Sequence, residues 1–169
     1  TIGPYTVREV FVQEMLDIAR ELYLSITVDR SARAPLLMAS ALGGIDVESV
    51  PADNLFKLHI PPLVGLQPYV LRALAKKLGL PTEISNQVSD VARKAYALFR
   101  GEDAELVEIN PLAVLKDGRV VAGDAKLIVD DNAEFRHPEW ESMRDPTEEN
   151  AAERQAHETG LSYVSLDGN

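Results

Sequence analysis

The chain has 169 residues, with 27 acidic against 17 basic side chains and a net charge of −10. That length suits one compact α+β domain with a core of its own, and the charge argues against general attraction to nucleic acid or an anionic membrane. There is no cysteine, hence no disulfide or thiolate metal site; no apolar run approaches a membrane span, and the opening TIGP is no signal peptide. A soluble intracellular protein is expected, and the start at Thr1 in place of methionine suits a processed or excised segment.

In chain order, residues 9–13 and 21–29 read as strands. In the second, Leu22, Leu24, Ile26 and Val28 alternate with Tyr23, Ser25 and Thr27, which gives one core face and one half-exposed face. Between the two lies QEMLD at 13–17, whose carboxylates can accept hydrogen bonds from a ribose or an amino group. By the residues alone a solvated loop is the better reading of it. A turn is expected at 30–33 and an apolar strand at 36–41, with Pro35 at its entry or on an edge. Gly43-Gly44 then breaks the pattern; no helix with a phosphate-binding lysine follows, so a plain turn is favoured over a phosphate loop. Residues 57–60 give another short strand, ended by Pro61-Pro62, and His59 within it has no second histidine at ligand spacing.

Two helices follow. The first opens at Pro68, carries Val70, Leu71, Leu74 and Leu78 at helical spacing, and stops at Gly79. The second is expected to be capped by Thr82, to bury Ile84, Val88, Val91, Ala95 and Leu98, and to end at Gly101. Arg72, Lys76, Lys77, Arg93 and Lys94 fall on the outer faces and suit solvent. Glu102 and Asp103 read as a charged loop.

The most informative stretch is AELVEINPLAVLKDGRVVAGDAKLIVDD at 104–131. Two β-rich runs flank Lys116-Asp117-Gly118, a hairpin signal. A three-residue loop with Gly118 in the left-handed region pairs Leu115 with Arg119, Asn110 with Asp124 and Glu108 with Lys126. Val107, Ile109, Ala113, Val121, Ala125 and Leu127 then share an apolar face, expected to be the core side. Glu108, Asn110, Asp124 and Lys126 gather on the other. Pro111 sits opposite Gly123, where a bulge can re-aim the backbone. An Asn oxygen and an Asp carboxylate are hard ligands, and so sparse a pair suits magnesium, which completes its shell with water and phosphates, better than calcium. An ordinary cross-strand polar pair explains the spacing equally well.

After the hairpin, residues 138–143 suggest a short helix with Trp140. Thr147 is expected to cap a polar helix over 148–159, ended by Gly160, and residues 161–166 read as a last strand.

The motifs EINPL at 108–112, GDAK at 123–126, DNAEFR at 131–136, DIARELYL at 17–24 and LSYVSLDGN at 161–169 closely resemble the β subunit of succinate–CoA ligase, and the likeness covers nearly the whole chain. The resemblance implies an ATP-grasp fold, with a mainly antiparallel sheet packed against helices. It also implies that Asn110 and Asp124 hold Mg2+ and that Glu108 stands near a phosphohistidine of the α subunit. The 13–17 segment resembles the hinge that contacts the nucleotide, so Glu14 and Glu21 become candidates for binding ATP or GTP. Many relatives carry glutamate where this chain has Gln13, and that departure leaves open which side chain makes the contact.

The chain has no glycine-rich loop with a lysine to hold phosphates. Relatives carry such a segment before the point matching Thr1 and continue into a ligase domain beyond Asn169. The expectation is therefore a fragment, the second lobe of an ATP-grasp fold and inactive alone, in which nucleotide cleavage, CoA and a dicarboxylate are coupled only in the complete heteromeric enzyme. A cytoplasmic setting is expected, or the mitochondrial matrix in a eukaryote. A malate or other acid ligase of the same family, and a non-catalytic binding module in which the polar cluster is only structural, are the rival readings.

Overall fold

A computed structural model describes residues 10–143 together with Ala152, Gln155, Ala156, Thr159, Leu161 and Tyr163. The helix expected over 148–159 and the strand over 161–166 fall mostly outside the described residues. The chain divides into two compact units that part between Asp130 and Asp131.

The first unit is built on an antiparallel sheet. Its strands are β1 (Ile18–Asp29), β2 (Ala34–Ser40), β3 (Leu55–His59), β4 (Ala104–Leu115), β5 (Val120–Ala122) and β6 (Ala125–Val129). They lie in the order β3-β2-β1-β4-β5, with β6 also paired to β4. Two helices, α1 (Pro68–Lys77) and α2 (Thr82–Gly101), cover one face. The core joins Leu22, Leu24 and Ile26 of β1 and Leu37 of β2 to Leu71 and Leu74 of α1 and Val88, Ala92 and Phe99 of α2. Burying such side chains stabilises the fold by about 1.5–3 kcal/mol each.

The helices begin and end for identifiable reasons. Pro68 occupies the first turn of α1, where its missing N–H costs nothing. At the other end Arg20 donates to the Leu78 carbonyl at 2.8 Å, placing a cation where the helix leaves acceptors unpaired. Thr82 does not cap α2. It is the first helical residue, after Pro81, and no side chain caps that end. The buried stripe of α2 is Val88, Ala92, Ala95 and Phe99, a four-three-four spacing, and it leaves the expected Leu98 at 41% exposure.

Two strand expectations change. Residues 10–13 form no strand: Val10, Phe11 and Val12 are exposed and have no ladder to join. The following strand starts earlier than expected, at Ile18, because Ile18 finds a partner in Leu115 of β4.

The hairpin has the expected register. The Leu115 N–H donates to the Arg119 carbonyl at 2.8 Å, the Gly118 N–H to the Leu115 carbonyl at 3.0 Å, and Gly118 has φ +87. Glu108 faces Lys126, and the Asn110 N–H donates to the Asp124 carbonyl at 3.2 Å. Gln87 of α2 ties the turn down, donating to the Gly118 carbonyl at 2.8 Å and accepting from the Val120 N–H at 3.0 Å.

The expected single apolar face is not present. Leu24 pairs with Ile109 and Leu22 with Leu112, so β4 has two residues, Asn110 and Pro111, where β1 has only Tyr23. This bulge reverses the alternation. Val107 and Ile109 point to the core before it, Leu112 and Val114 after it. Gly123 and Asp124 interrupt the return strand at the same level, so Val120 joins the core side while Ala113 and Val121 turn to the other. Ala125 and Leu127 remain opposite Ile109 and Val107 but are exposed, since α2 packs on β1, β4 and β5.

These placements predict contrasting stabilities in urea unfolding. Leu24→Ala should cost about 2–5 kcal/mol, whereas Leu127→Ala, at 46% exposure, should stay within about 0.5–1 kcal/mol.

Candidate active site

The face of the sheet away from the helices carries most of the residues singled out from sequence. Alternation in β1 puts Glu21, Tyr23 and Ser25 there. Ser25 is directly opposite Glu108, and Glu21 opposite Ala113. Asn110 and Asp124 meet at the bulge level of the hairpin. Along β4 the order is therefore Glu21, then Asn110 with Asp124, then Glu108 with Lys126.

Asn110 is held by a loop 65 and 66 residues away in sequence. The Gly44 N–H donates to Asn110 Oδ1 at 2.7 Å, and Asn110 Nδ2 donates to the Ile45 carbonyl at 3.0 Å. Both ends of the amide are thus engaged and its orientation is fixed. The Gly43 N–H donates to the Glu21 carbonyl at 3.1 Å, and the Glu21 carboxylate lies against the Gly44 α-carbon. Gly44 has φ +70, a conformation that glycine adopts without strain. Gly43-Gly44 is thus a turn, as expected, but one that bridges Glu21 to Asn110.

The donor set fits a hard divalent cation. Asn110 Oδ1 keeps a second lone pair beside the Gly44 bond. Asp124 is exposed, and one carboxylate oxygen accepts from the Ala125 N–H at 2.9 Å, which leaves the other without a partner among the described residues. Two oxygens on directly opposite residues suit magnesium, which keeps several waters and binds through few protein ligands. The loop bonds around Asn110 act as outer partners of a ligand do, fixing its direction.

Glu108 is half-buried and its Oε2 accepts from the Tyr23 hydroxyl at 2.9 Å. Burial pushes the Tyr23 hydroxyl from its ordinary 10.0 to about 12, with the neighbouring Glu108 carboxylate adding to the rise and Ser25 opposing it. Reasoning from sequence missed Tyr23; the alternation that put it beside Glu21 was available, but its pairing with Glu108 needed the β1–β4 register.

Glu14 lies apart from this group. It is exposed and accepts from Arg119 at 3.3 Å, at the tip of the hairpin, where Arg119 also binds Asp117 at 2.7 Å. The neighbouring Asp17 pairs with Lys116 at 2.7 Å. Five residues of β4 separate this tip from Asn110, roughly 16 Å at strand spacing.

Two measurements check these contacts. Gly43→Ala would drive its Cβ into the Leu22 backbone carbonyl and should lower unfolding stability by about 1–3 kcal/mol. Because the folded pKa of Tyr23 exceeds its unfolded value, its contribution to stability is complete below about pH 10 and is lost as pH rises through about 12. Ultraviolet titration should show a late-ionising phenol that disappears in Tyr23→Phe.

Similarity to known proteins agrees with the fold. A protein named as the β subunit of an ADP-forming succinate–CoA ligase from Sorangium cellulosum (strain So ce56) is 49% identical over 166 residues, which cover 96% of this chain and 42% of that protein. The protein of the same name from Rubrobacter xylanophilus is 45% identical over 170 residues, covering 99% and 44%. The chain thus spans less than half the length of these curated relatives. Its fold is similar to that of an ATP citrate lyase from Methanothrix soehngenii, with a TM-score of 0.57 at 20% identity over 84% of this chain and 34% of that one. The ATP-grasp domain model matches residues 3–114, about two thirds of the sequence, and with the antiparallel sheet under its two helices the chain belongs to the ATP-grasp domain family.

Proposed function

We propose that the chain is the second, nucleotide-binding lobe of the β subunit of a succinate–CoA ligase. The complete enzyme would couple ATP or GTP cleavage, through a phosphohistidine on the α subunit, to reversible formation of succinyl-CoA from succinate and CoA. The names of the relatives support the reaction. The observation that carries the reading is the order of groups along one sheet face, from Glu21 through the Asn110–Asp124 pair to Glu108, with Glu14 off that face beside the hairpin tip. That order suits an extended nucleoside triphosphate, with its base and ribose toward Glu14 and Glu21 and its γ-phosphate toward Glu108.

In this reading Asn110 and Asp124 would hold Mg2+, which would supply positive charge to the nucleotide phosphates. Such positioning and charge stabilisation are most of phosphoryl-transfer catalysis. Glu108 accepts the N–H of the incoming imidazole and so orients the ring nitrogen that takes the phosphoryl group. Among the described residues no helix is long and apolar enough to cross a membrane.

The test is Mg2+- and nucleotide-dependent thioester formation by the complete β polypeptide paired with its α subunit, run across succinate, malate and related acids. Activity with succinate is expected; a preference for malate, or no acid activated by a folded complex, would overturn the assignment. In the same assay Asp124→Ala should lower turnover at least about tenfold, on the order of 1.4 kcal/mol of barrier.

A further inference from the structure

Tyr23 is 2% exposed, and its hydroxyl reaches across from β1 to Glu108 Oε2. Ser25, at 1% exposure, stands directly opposite Glu108; its hydroxyl is close enough to the phenol to oppose the rise in its pKa, but makes no well-aligned hydrogen bond among the described residues. Glu108 is therefore backed from β1 by two buried hydroxyls, of which only the phenol binds it. Its other oxygen, Oε1, accepts from none of the described residues. Lys126, the cross-strand neighbour on the open side, is exposed and forms no ion pair with Glu108.

We propose that Tyr23 is a positioning residue for Glu108, holding the carboxylate by Oε2 so that Oε1 is presented to the imidazole N–H of the α-subunit histidine. The inference rests on the function proposed above and adds a residue to it. A glutamate has three side-chain torsions to restrain, and a carboxylate free to turn would sample the Lys126 ammonium in place of the imidazole. The phenol has to remain a donor to do this, and a tyrosine hydroxyl, ordinarily ionising at about 10, keeps its proton throughout the neutral range; burial moves it further in the same direction.

In the assisted step the bond between the γ-phosphorus and the β–γ bridging oxygen breaks. A bond forms between that phosphorus and the imidazole nitrogen bearing the lone pair, and the nucleoside diphosphate departs with the bridging electrons. The proton on the other ring nitrogen stays in place, hydrogen-bonded to Oε1. Tyr23 touches neither reactant and acts only through Glu108.

The experiment measures single-turnover phosphorylation of the α-subunit histidine in the complete two-subunit enzyme, with Tyr23→Phe, Glu108→Gln, the double variant and Ser25→Ala. Phenylalanine fills the same space as tyrosine, so the fold is retained, and melting curves verify it. Tyr23→Phe should slow phosphorylation about tenfold, with the KM for nucleotide changed less than about twofold, as expected for lost orientation. Glu108→Gln should slow it at least as much, the double variant should be no slower than Glu108→Gln alone, and Ser25→Ala should match the wild type. A normal rate for Tyr23→Phe beside a slow Glu108→Gln would overturn the role of Tyr23 and leave the proposed function standing. A normal rate for Glu108→Gln would overturn the reading of Glu108, and the role of Tyr23 with it. Additive losses in the double variant, an equal loss in Ser25→Ala, or a loss confined to nucleotide KM would mean that the phenol only supports the sheet.

Discussion

The polar face of this sheet depends on one extra residue. Between Leu24–Ile109 and Leu22–Leu112, β4 spends two residues against one of β1, and the alternation of the strand changes sign there. Without that bulge Leu112 and Val114 would leave the core, or Val107 and Ile109 would, because a strand has only two faces and a slip of one residue exchanges them. With it, the core stays continuous from Ala104 to Val114 while Asn110 is turned toward the Gly43-Gly44 loop. Stability and site geometry are thus obtained from the same local irregularity. The return strand matches it with Gly123 and Asp124, which keeps the hairpin in one register throughout.

Much of this was legible in the residues. The loop length after Leu115 fixed the register, and through it the opposition of Asn110 to Asp124 and of Glu108 to Lys126, because a turn with Gly118 at positive φ admits few pairings. The family resemblance, drawn from motifs such as EINPL and GDAK, agrees with the relatives found. The reversal of faces was not legible. Proline opposite glycine signals a bulge, yet whether the bulge changes phase depends on the neighbouring strand, which lies more than eighty residues away in sequence. Residues 10–13 had the composition of a strand but no strand to pair with, and pattern alone does not report the absence of a partner. The error over Leu98 and Phe99 has a simpler origin, since a helix of twenty residues can drift by one position and still present an apolar stripe.

The polar contacts that hold the candidate site were the least accessible from sequence. Gly43-Gly44 offered only a turn signal, whereas the structure places its backbone between Glu21 and Asn110. Alternation puts Tyr23 on the half-exposed side of a strand, yet it is among the most buried of the described residues. In both cases the decisive information is long-range: a main-chain N–H or a phenol finds its acceptor 66 or 85 residues away. Local propensity does not encode such pairs, and they emerge only once the sheet has set its registers.

Gln87 shows what such a contact demands of a single position. Its side chain donates a hydrogen bond to the Gly118 carbonyl in the hairpin turn and accepts one from the Val120 N–H just after it, so α2 and the tip of the hairpin are joined by a group that must be donor and acceptor at once. Glutamate would match its size and lose the donor; lysine would supply a donor and lose the acceptor; asparagine has both but is one methylene shorter. The latitude for sequence drift at this half-buried helix position is therefore set by bifunctionality together with reach, and not by charge or helix propensity.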